Sequence, residues 1–177
     1  AIAAHGTVAP MSVPPAPPGS LAPGRLLALA TDVATRAARL LLDGQGRERT
    51  SVQTKSTRTD MVSEMDRASE RLIVRELLTA RPGDGIVGEE GSDRAGISGL
   101  RWVVDPLDGT TNYLYGFPGW SVSIAAEDGA GVVAGVVVDP VHRELFSATR
   151  GGGAWRNGEP IACSAQSVLA ETLVGTG

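Results

Sequence analysis

The chain has 177 residues, of which 42% are hydrophobic and 20% are charged, and its net charge is -4. This composition is typical of a globular protein of one domain or slightly more, and with scattered arginines it gives no electrostatic reason to expect nucleic-acid binding. The single cysteine, Cys163, excludes an internal disulfide and favours a reducing compartment, and no apolar run is long enough to span a bilayer. We therefore expect a cytoplasmic protein without a membrane partner.

The first part of the sequence divides into a tail and a helix. Residues 1–23 are dominated by alanine, proline, glycine and serine, which predicts a disordered tail before a folded domain at residues 24–177. From residue 26 the apolar residues take the period of a core-facing helix that ends before Gly44 and Gly46. The apolar stripe consists of Leu26, Ala30, Val33, Ala37, Leu40 and Leu41.

A second amphipathic helix is predicted to begin near Ser63. The Ser63 hydroxyl and the Asp66 carboxylate three positions later have the spacing of a capping box, and the helix is expected to end at Pro82. Its buried side would be formed by Leu72, Ile73 and Leu77.

Short apolar segments separated by turn signals predict β-strands in the rest of the chain. The segments are residues 86–87, 102–104, 121–126, 132–138 and 144–148. The later strands follow one another through turns such as the one at Asn157-Gly158, so they should form a meander. Helices followed by consecutive strands predict a layered α+β domain, in which two helices cover one face of a largely antiparallel sheet.

Two aspartates follow the strand at residues 102–104. Because Pro106 cannot continue a hydrogen-bonded ladder, we expect the strand to end there and Asp105 and Asp108 to project into one small space. Two carboxylates held that close repel each other unless one is protonated or a cation lies between them. A hard divalent cation is the simplest solution.

Glu89 follows the strand at residues 86–87 in the same way. It would lie beside Asp105 if the two strands are neighbours, and a shared carboxylate cluster would result. Taken singly, each group has a simpler interpretation, since Glu89 could be a solvated loop charge and Asp108-Gly109 only a turn.

Other ligand-binding motifs fit the sequence less well. The two aspartates are three residues apart, whereas a calcium loop needs ligands at alternate positions before a glycine. Residues 151–153 are three glycines without a following helix or a Lys-Ser/Thr pair, so they are expected to connect strands and not to bind phosphate. Residues 109–112, by contrast, can start a short helix whose free N–H groups would face an anion.

Three blocks of the sequence, in consistent order, resemble the inositol monophosphatase family, a branch of the lithium-sensitive, magnesium-dependent phosphatases. The blocks are Lys55-Ser56 with residues 59–63 and Asp66, then residues 87–91, then residues 105–113. The likeness spans about residues 26–177. It implies the layered αβαβα fold of that family, here without its second α/β domain.

The resemblance implies a site for two or three Mg²⁺ ions, with Li⁺ as an inhibitor. Glu89, Asp105 and the backbone carbonyl of Leu107 would hold the first ion. Asp105 and Asp108 would hold the second, so that Asp105 bridges the two ions. Oxygen ligands of this kind suit magnesium. Two further acidic residues are candidates for supporting these ligands: Glu90 and Asp60.

The resemblance also implies residues for substrate binding and catalysis. The backbone N–H groups of Gly109 and Thr110 would bind the phosphate, and Asp108 would lie at the substrate. The Thr110 hydroxyl and Asp66 would orient and deprotonate a metal-bound water for in-line attack on phosphorus. Glu89 would contribute to catalysis through the ion that it holds.

The sequence departs from the family pattern at its end. The family continues into a second domain, whose Trp-Asp block supplies another aspartate to the second metal and most of the substrate contacts. No Trp-Asp pair occurs among the 177 residues. We expect either a piece of a longer enzyme or an incomplete, inactive copy.

The implied function is a Mg²⁺-dependent phosphomonoesterase for a small phosphorylated cyclitol or sugar, with inositol monophosphate as the first candidate. Fructose 1,6-bisphosphate and histidinol phosphate are alternative substrates. A regulatory, transcription-associated member of the family and an inactive truncated copy are alternative functions. The resemblance also implies a homodimer, and a nucleic-acid partner is not expected.

Overall fold

The computed structural model describes residues 22–48, 58–89 and 91–173, without the side chains of residues 46–48 and 58–63. The α-helices in these ranges are α1 (Pro23–Glu48), α2 (Arg58–Ala80) and α3 (Thr110–Tyr115). The strands are β1 (Gly85–Gly88), β2 (Arg101–Asp108), β3 (Ser121–Asp128), β4 (Gly131–Asp139), β5 (Glu144–Thr149), β6 (Gly153–Arg156) and β7 (Glu159–Ile161). Within this described part, no helix combines the length and the apolar character needed to cross a membrane.

The predicted tail at residues 1–23 falls almost entirely outside the described residues, so its disorder stays a prediction. The first helix, α1, begins at Pro23. Proline suits the first turn of a helix because its missing N–H would have no partner there and its φ is already helical.

The described strands form one seven-stranded sheet in sequence order. β1 and β2 are parallel, and each later pair is antiparallel. The predicted α+β class and the largely antiparallel sheet are therefore confirmed. The turn at Asn157 and Gly158 joins β6 to β7 with φ values of 52° and 84°, as a tight hairpin turn with two left-handed residues requires.

Both long helices pack on one face of the sheet, α1 against β3, β4 and β5 and α2 against β2. Strand residues therefore alternate between the two faces, so that Trp102 and Val104 are buried while Val103 between them is 37% exposed. The predicted apolar stripe of α1 is confirmed, except that Leu40 is only half-buried.

The first helix does not end before Gly44 and Gly46, as predicted, but continues to Glu48. Gly44 is a packing residue here. A Cβ at this position would overlap the end of the Met65 side chain and would lie 3.0 Å from the Tyr113 hydroxyl. Gly44 therefore lies where α2 and α3 approach α1. A glycine inside a helix lowers helix stability only modestly.

The second helix begins at Arg58, well before Ser63. The predicted capping box of Ser63 and Asp66 is wrong, because Asp66 lies inside the helix. A serine in a helix interior costs little, so its capping signal did not stop the helix from extending towards the N-terminus. The predicted end is confirmed, since α2 stops at Ala80, before Pro82.

Strand β2 does not end at Pro106 but runs on to Asp108. Its pairing with β3 shifts register between Asp105, opposite Ser123, and Asp108, opposite Ser121. Such an irregularity accommodates a proline, which has no N–H to give to the ladder. The prediction that the acidic residues lie beyond the strand is therefore wrong for Asp105, which is inside it.

A buried carboxylate, that of Asp84, joins the end of α2 to the sheet. Asp84 is 1% exposed and accepts hydrogen bonds from Trp102 Nε1 at 2.9 Å and Ser98 Oγ at 2.7 Å. Arg81 donates to the same carboxylate through Nη2 at 2.9 Å and also through Nε. The charge is thus compensated, and the network fixes β2 relative to the helix that precedes β1.

Replacing Asp84 with alanine should strongly destabilise the protein. Asp84→Ala leaves Arg81 and the Trp102 indole without their acceptor, and removing one partner of a buried ion pair costs about 3–5 kcal/mol. Urea unfolding of the full-length protein, followed by circular dichroism, measures this loss. Asp43→Ala, on the exposed surface of α1, is the matched control; equal free energies of unfolding for the two variants would contradict the network's role.

Candidate active site

The pairing of β1 with β2 brings two acidic side chains together. The strands are parallel, with Gly88 opposite Val104, so Glu89 follows β1 at the level of Asp105 in β2. Asp105 is half-buried, and burial together with the charge and hydrogen bond of Glu89 raises its pKa to about 6. The interaction shows that the two carboxyl groups lie close together, as expected if their strands are neighbours.

Asp108 stands at the end of the same strand. It is exposed, accepts a hydrogen bond from Ser121 Oγ at 3.4 Å, and contributes less than Glu89 to the raised pKa of Asp105. The Asp105 Oδ1 accepts the Leu107 N–H at 3.2 Å, which offsets part of the repulsion. Asp105 and Asp108 thus both lie at the same end of the sheet, on either side of the register shift between β2 and β3.

The Leu107 carbonyl, predicted as a metal ligand, already accepts a hydrogen bond. Thr110 Oγ1 donates to it at 3.1 Å. A carbonyl oxygen has two lone pairs, so one acceptor position remains. The same hydrogen bond holds the Thr110 hydroxyl at the start of α3, close to the chain of Asp105 and Asp108.

Gly109 links β2 to α3 and must be glycine for two reasons. Its φ is 81°, in the left-handed region, and a Cβ there would lie 2.7 Å from the Gly119 carbonyl oxygen and 3.1 Å from Trp120 Cα. The backbone of Gly109 and Thr110 is therefore held against the loop before β3. Its N–H groups are the ones predicted to bind phosphate.

A pair of aromatic side chains anchors α3. Tyr113 is fully buried, donates its hydroxyl to the Leu41 carbonyl at 2.8 Å, and packs edge-on against Trp120 with ring centroids 5.0 Å apart. Edge-to-face pairs of this kind stabilise by about 0.5–1.5 kcal/mol beyond burial. The short helix, which could not be stable alone, thereby gains a fixed position relative to α1.

Asp66 lies on the buried side of α2 and is 7% exposed. Ser69, one turn later, donates its hydroxyl to the Pro106 carbonyl at 2.9 Å, and Met65 packs near Tyr113 at Gly44. Residues of α2 on both sides of Asp66 therefore contact β2 and approach α3. The grouping of Asp66 with Asp105 and Thr110 stays a prediction.

The sequence interpretation missed several residues that shape this region. Asp84 and Trp120 carry no local signal, because their partners are distant in the chain. Ser69 and Glu70 could have been found, since residues three and four positions after Asp66 share its face of a helix. Glu90, Asp60, Lys55 and Ser56 lie outside the described side chains, so their suggested roles stay predictions.

Glu89 and Asp105 form a pair of carboxylates, and such oxygen donors suit a hard divalent cation. Among the described residues, no three His, Cys, Asp or Glu side chains are grouped so that they could hold an ion as they stand. Mg²⁺, however, is usually bound through one or two carboxylates and keeps several waters. A cation between Glu89 and Asp105 would relieve the repulsion between the two carboxylates.

Comparisons of this sequence with a family model and with known proteins point to the same family. Residues 23–177 match the sequence model of the inositol monophosphatase family. The chain is 46% identical to an inositol-1-monophosphatase of Rhizobium meliloti over 119 residues, which are 67% of this chain and 45% of that protein. It is 43% identical to the Nus factor SuhB of Xylella fastidiosa over 126 residues, 70% of this chain and 44% of that protein.

A solved structure shares the fold. The extragenic suppressor protein suhB of Bartonella henselae superposes with a TM-score of 0.71 at 39% identity, over 80% of this chain and 55% of that one. The chain thus spans about half the length of the relatives that it matches.

The carboxylate pair should make stability depend on pH when no divalent cation is present. The pKa of Asp105 is 3.8 when unfolded and about 6 when folded, so the folded state binds the extra proton between these values. Its contribution to stability is complete below pH 3.8 and is lost as the pH rises through 6. Urea unfolding in EDTA at several pH values should show this loss in the wild type and a smaller one in Asp105→Asn; parallel profiles would contradict it.

Proposed function

Since the chain belongs to the inositol monophosphatase family, we propose that the protein is a Mg²⁺-dependent phosphomonoesterase that hydrolyses a small cyclitol or sugar phosphate. Inositol monophosphate is the first candidate substrate. The observation that carries the proposal is the proximity of Glu89, which follows β1, to Asp105 in the parallel strand β2. The family as a whole is generally metal-dependent.

Four groups would hold the cations. Glu89, Asp105 and the free lone pair of the Leu107 carbonyl would bind one ion, and Asp105 with Asp108 would bind another, for two or three in all. Bound Mg²⁺ neutralises the charge of a phosphate monoester and makes water a better nucleophile. The chemistry then needs neither a histidine nor a cysteine.

The proton of the attacking water would leave through Thr110 and Asp66. A hydroxyl both accepts and donates a hydrogen bond, so Thr110 Oγ1 can pass a proton on. In the structure it donates to the Leu107 carbonyl at 3.1 Å, which holds it in place. Asp66, a buried carboxylate on the adjacent helix face, would be the base that accepts this proton.

The phosphate would lie on the backbone of Gly109 and Thr110. The first N–H groups of a helix have no partner within it, and here they follow directly on Asp108. The left-handed Gly109 and its close contact with Gly119 fix this segment without a side chain in the way. Asp108 would then lie between the cations and the substrate.

A second candidate is a regulatory role in transcription. It is favoured by the 43% identity to a relative named a Nus factor. With a net charge of -4, the chain would contribute to such a role through protein contacts and not by binding nucleic acid. Homodimerisation, lithium inhibition and a cytoplasmic location are further parts of the proposal, supported by the family resemblance.

Asp105→Asn should abolish Mg²⁺-dependent phosphatase activity. The change removes the shared ligand of both cations but keeps the size of the side chain, so the folded state should persist. Phosphate release from inositol 1-phosphate by the full-length protein, titrated with Mg²⁺ and with Li⁺, measures the effect. Asp43→Asn changes the charge equally on an exposed surface and should leave turnover unchanged; turnover of Asp105→Asn at the wild-type rate would refute the proposal.

Removing the Thr110 hydroxyl should lower kcat with little change in KM. Thr110→Val keeps the shape of the side chain but cannot pass a proton, and loss of such a group costs on the order of 10² to 10⁴ in rate. Thr110→Ser keeps the hydroxyl and should retain most of the activity. Steady-state kinetics of Thr110→Val and Thr110→Ser measure the effect. Equal losses of kcat in the two variants would argue against a role for the hydroxyl.

A further inference from the structure

Glu70 is a buried carboxylate with a free oxygen. It lies on α2, one turn after Asp66, and is 4% exposed. Its Oε1 is fully buried and has no hydrogen-bond partner among the residues that the structure describes. Leaving a carboxyl oxygen buried without a partner is costly, so the position calls for a specific explanation.

Gly88, at the end of β1, makes room for this carboxylate. A Cβ at position 88 would overlap Glu70 Oε1 and would lie 3.3 Å from its Cδ and 3.4 Å from Ser92 Cβ. The φ of Gly88 is not in the left-handed region, so its backbone conformation does not itself require glycine. The absent side chain is therefore explained by the space that Glu70 takes.

The neighbouring donors are already engaged. The Gly88 N–H donates to Asp93 Oδ1 at 3.2 Å, and the Ile86 and Arg94 backbones bond to each other in both directions at 2.9 Å. The Arg94 guanidinium donates to the Pro82 carbonyl at 3.0 Å. These contacts close the loop after β1 on itself, and none of them reaches Glu70 Oε1.

The free oxygen lies close to the segment that carries Glu89. Glu70 Oε1 lies against the backbone of Gly88, one residue before Glu89. A hydrated divalent cation would bring both positive charge and hydrogen-bond donors to this place.

We propose that Glu70 is a positioning residue of the cation site: its Oε1 accepts a hydrogen bond from the hydration water of the cation held by Glu89 and Asp105. The inference rests on the proposed function for the presence of that cation. Residues of this kind, which support a metal without binding it, change metal affinity by about 10-fold to 100-fold when they are mutated.

Glu70→Gln in the full-length protein separates this role from a structural one. Mn²⁺ is the probe, and electron paramagnetic resonance of the free ion gives its dissociation constant without any enzymatic assay. We expect the Kd for Mn²⁺ to rise about tenfold. The Tm in EDTA should stay near that of the wild type, because the amide keeps the size and shape of the buried side chain.

Glu64→Gln is the matched control. It makes the same chemical change on the same helix at an exposed position, and both the Mn²⁺ Kd and the Tm should stay at wild-type values. A Kd for Glu70→Gln within twofold of the wild type would overturn the inference. So would weaker binding that comes with a lower Tm in EDTA, because that pattern denotes a role in packing alone.

Gly88→Ala provides a second test that leaves the carboxylate in the chain. The added methyl group displaces the Glu70 carboxylate and should weaken Mn²⁺ binding as Glu70→Gln does. If Gly88 and Glu70 act through the same contact, the double variant should bind Mn²⁺ no more weakly than whichever single variant has the lower Mn²⁺ affinity. Additive losses would overturn the inference. If Glu70→Gln fails to fold, Mn²⁺ binding by Gly88→Ala within twofold of the wild type would overturn it.

The outcomes distinguish this inference from the proposed function. Mn²⁺ binding that Asp105→Asn abolishes and Glu70→Gln leaves intact would overturn the inference and leave the proposed function in place. A wild-type protein that binds Mn²⁺ with the expected dependence on Glu70 but releases no phosphate would overturn only the function. A wild-type protein that does not bind Mn²⁺ would overturn both.

Discussion

The structure depends on one constraint, the parallel register of β1 and β2. This pairing places Glu89 at the level of Asp105. Burial and the nearby Glu89 carboxylate both disfavour an ionised Asp105, and they raise its pKa to about 6. The surrounding fold must therefore hold the strand ends rigidly enough that the repulsion does not separate them.

Rigid support comes from polar contacts that cross between elements. The buried Asp84 ties Trp102 of β2 to the end of α2, and Ser69 of α2 holds the Pro106 carbonyl. On the far side of the site, Tyr113 fixes α3 to α1 through the Leu41 carbonyl. Each contact joins segments distant in sequence, so the site is set by the assembled domain and not by any single loop.

In the proposed site, groups that bind or support a cation would cost stability when no cation is bound. Asp105 is half-buried beside Glu89, and Glu70 Oε1 is buried without a hydrogen-bond partner among the described residues. A bound divalent cation would reverse both effects, since anything that binds only the folded state stabilises it. Glycines at Gly88 and Gly109 keep the backbone close enough for these groups to meet.

The sequence by itself determined the α+β class, the first five strands, the turn at Asn157-Gly158, the acidic residues and the family, because these rest on local periodicity, turn chemistry and one long motif. Only the tertiary structure decided the register that pairs Glu89 with Asp105, the continuation of β2 through Pro106, and the packing role of Gly44. It alone revealed that Glu70 Oε1 is buried without a hydrogen-bond partner among the described residues. These features depend on which distant segments come into contact, and local pattern carries no information on such contacts.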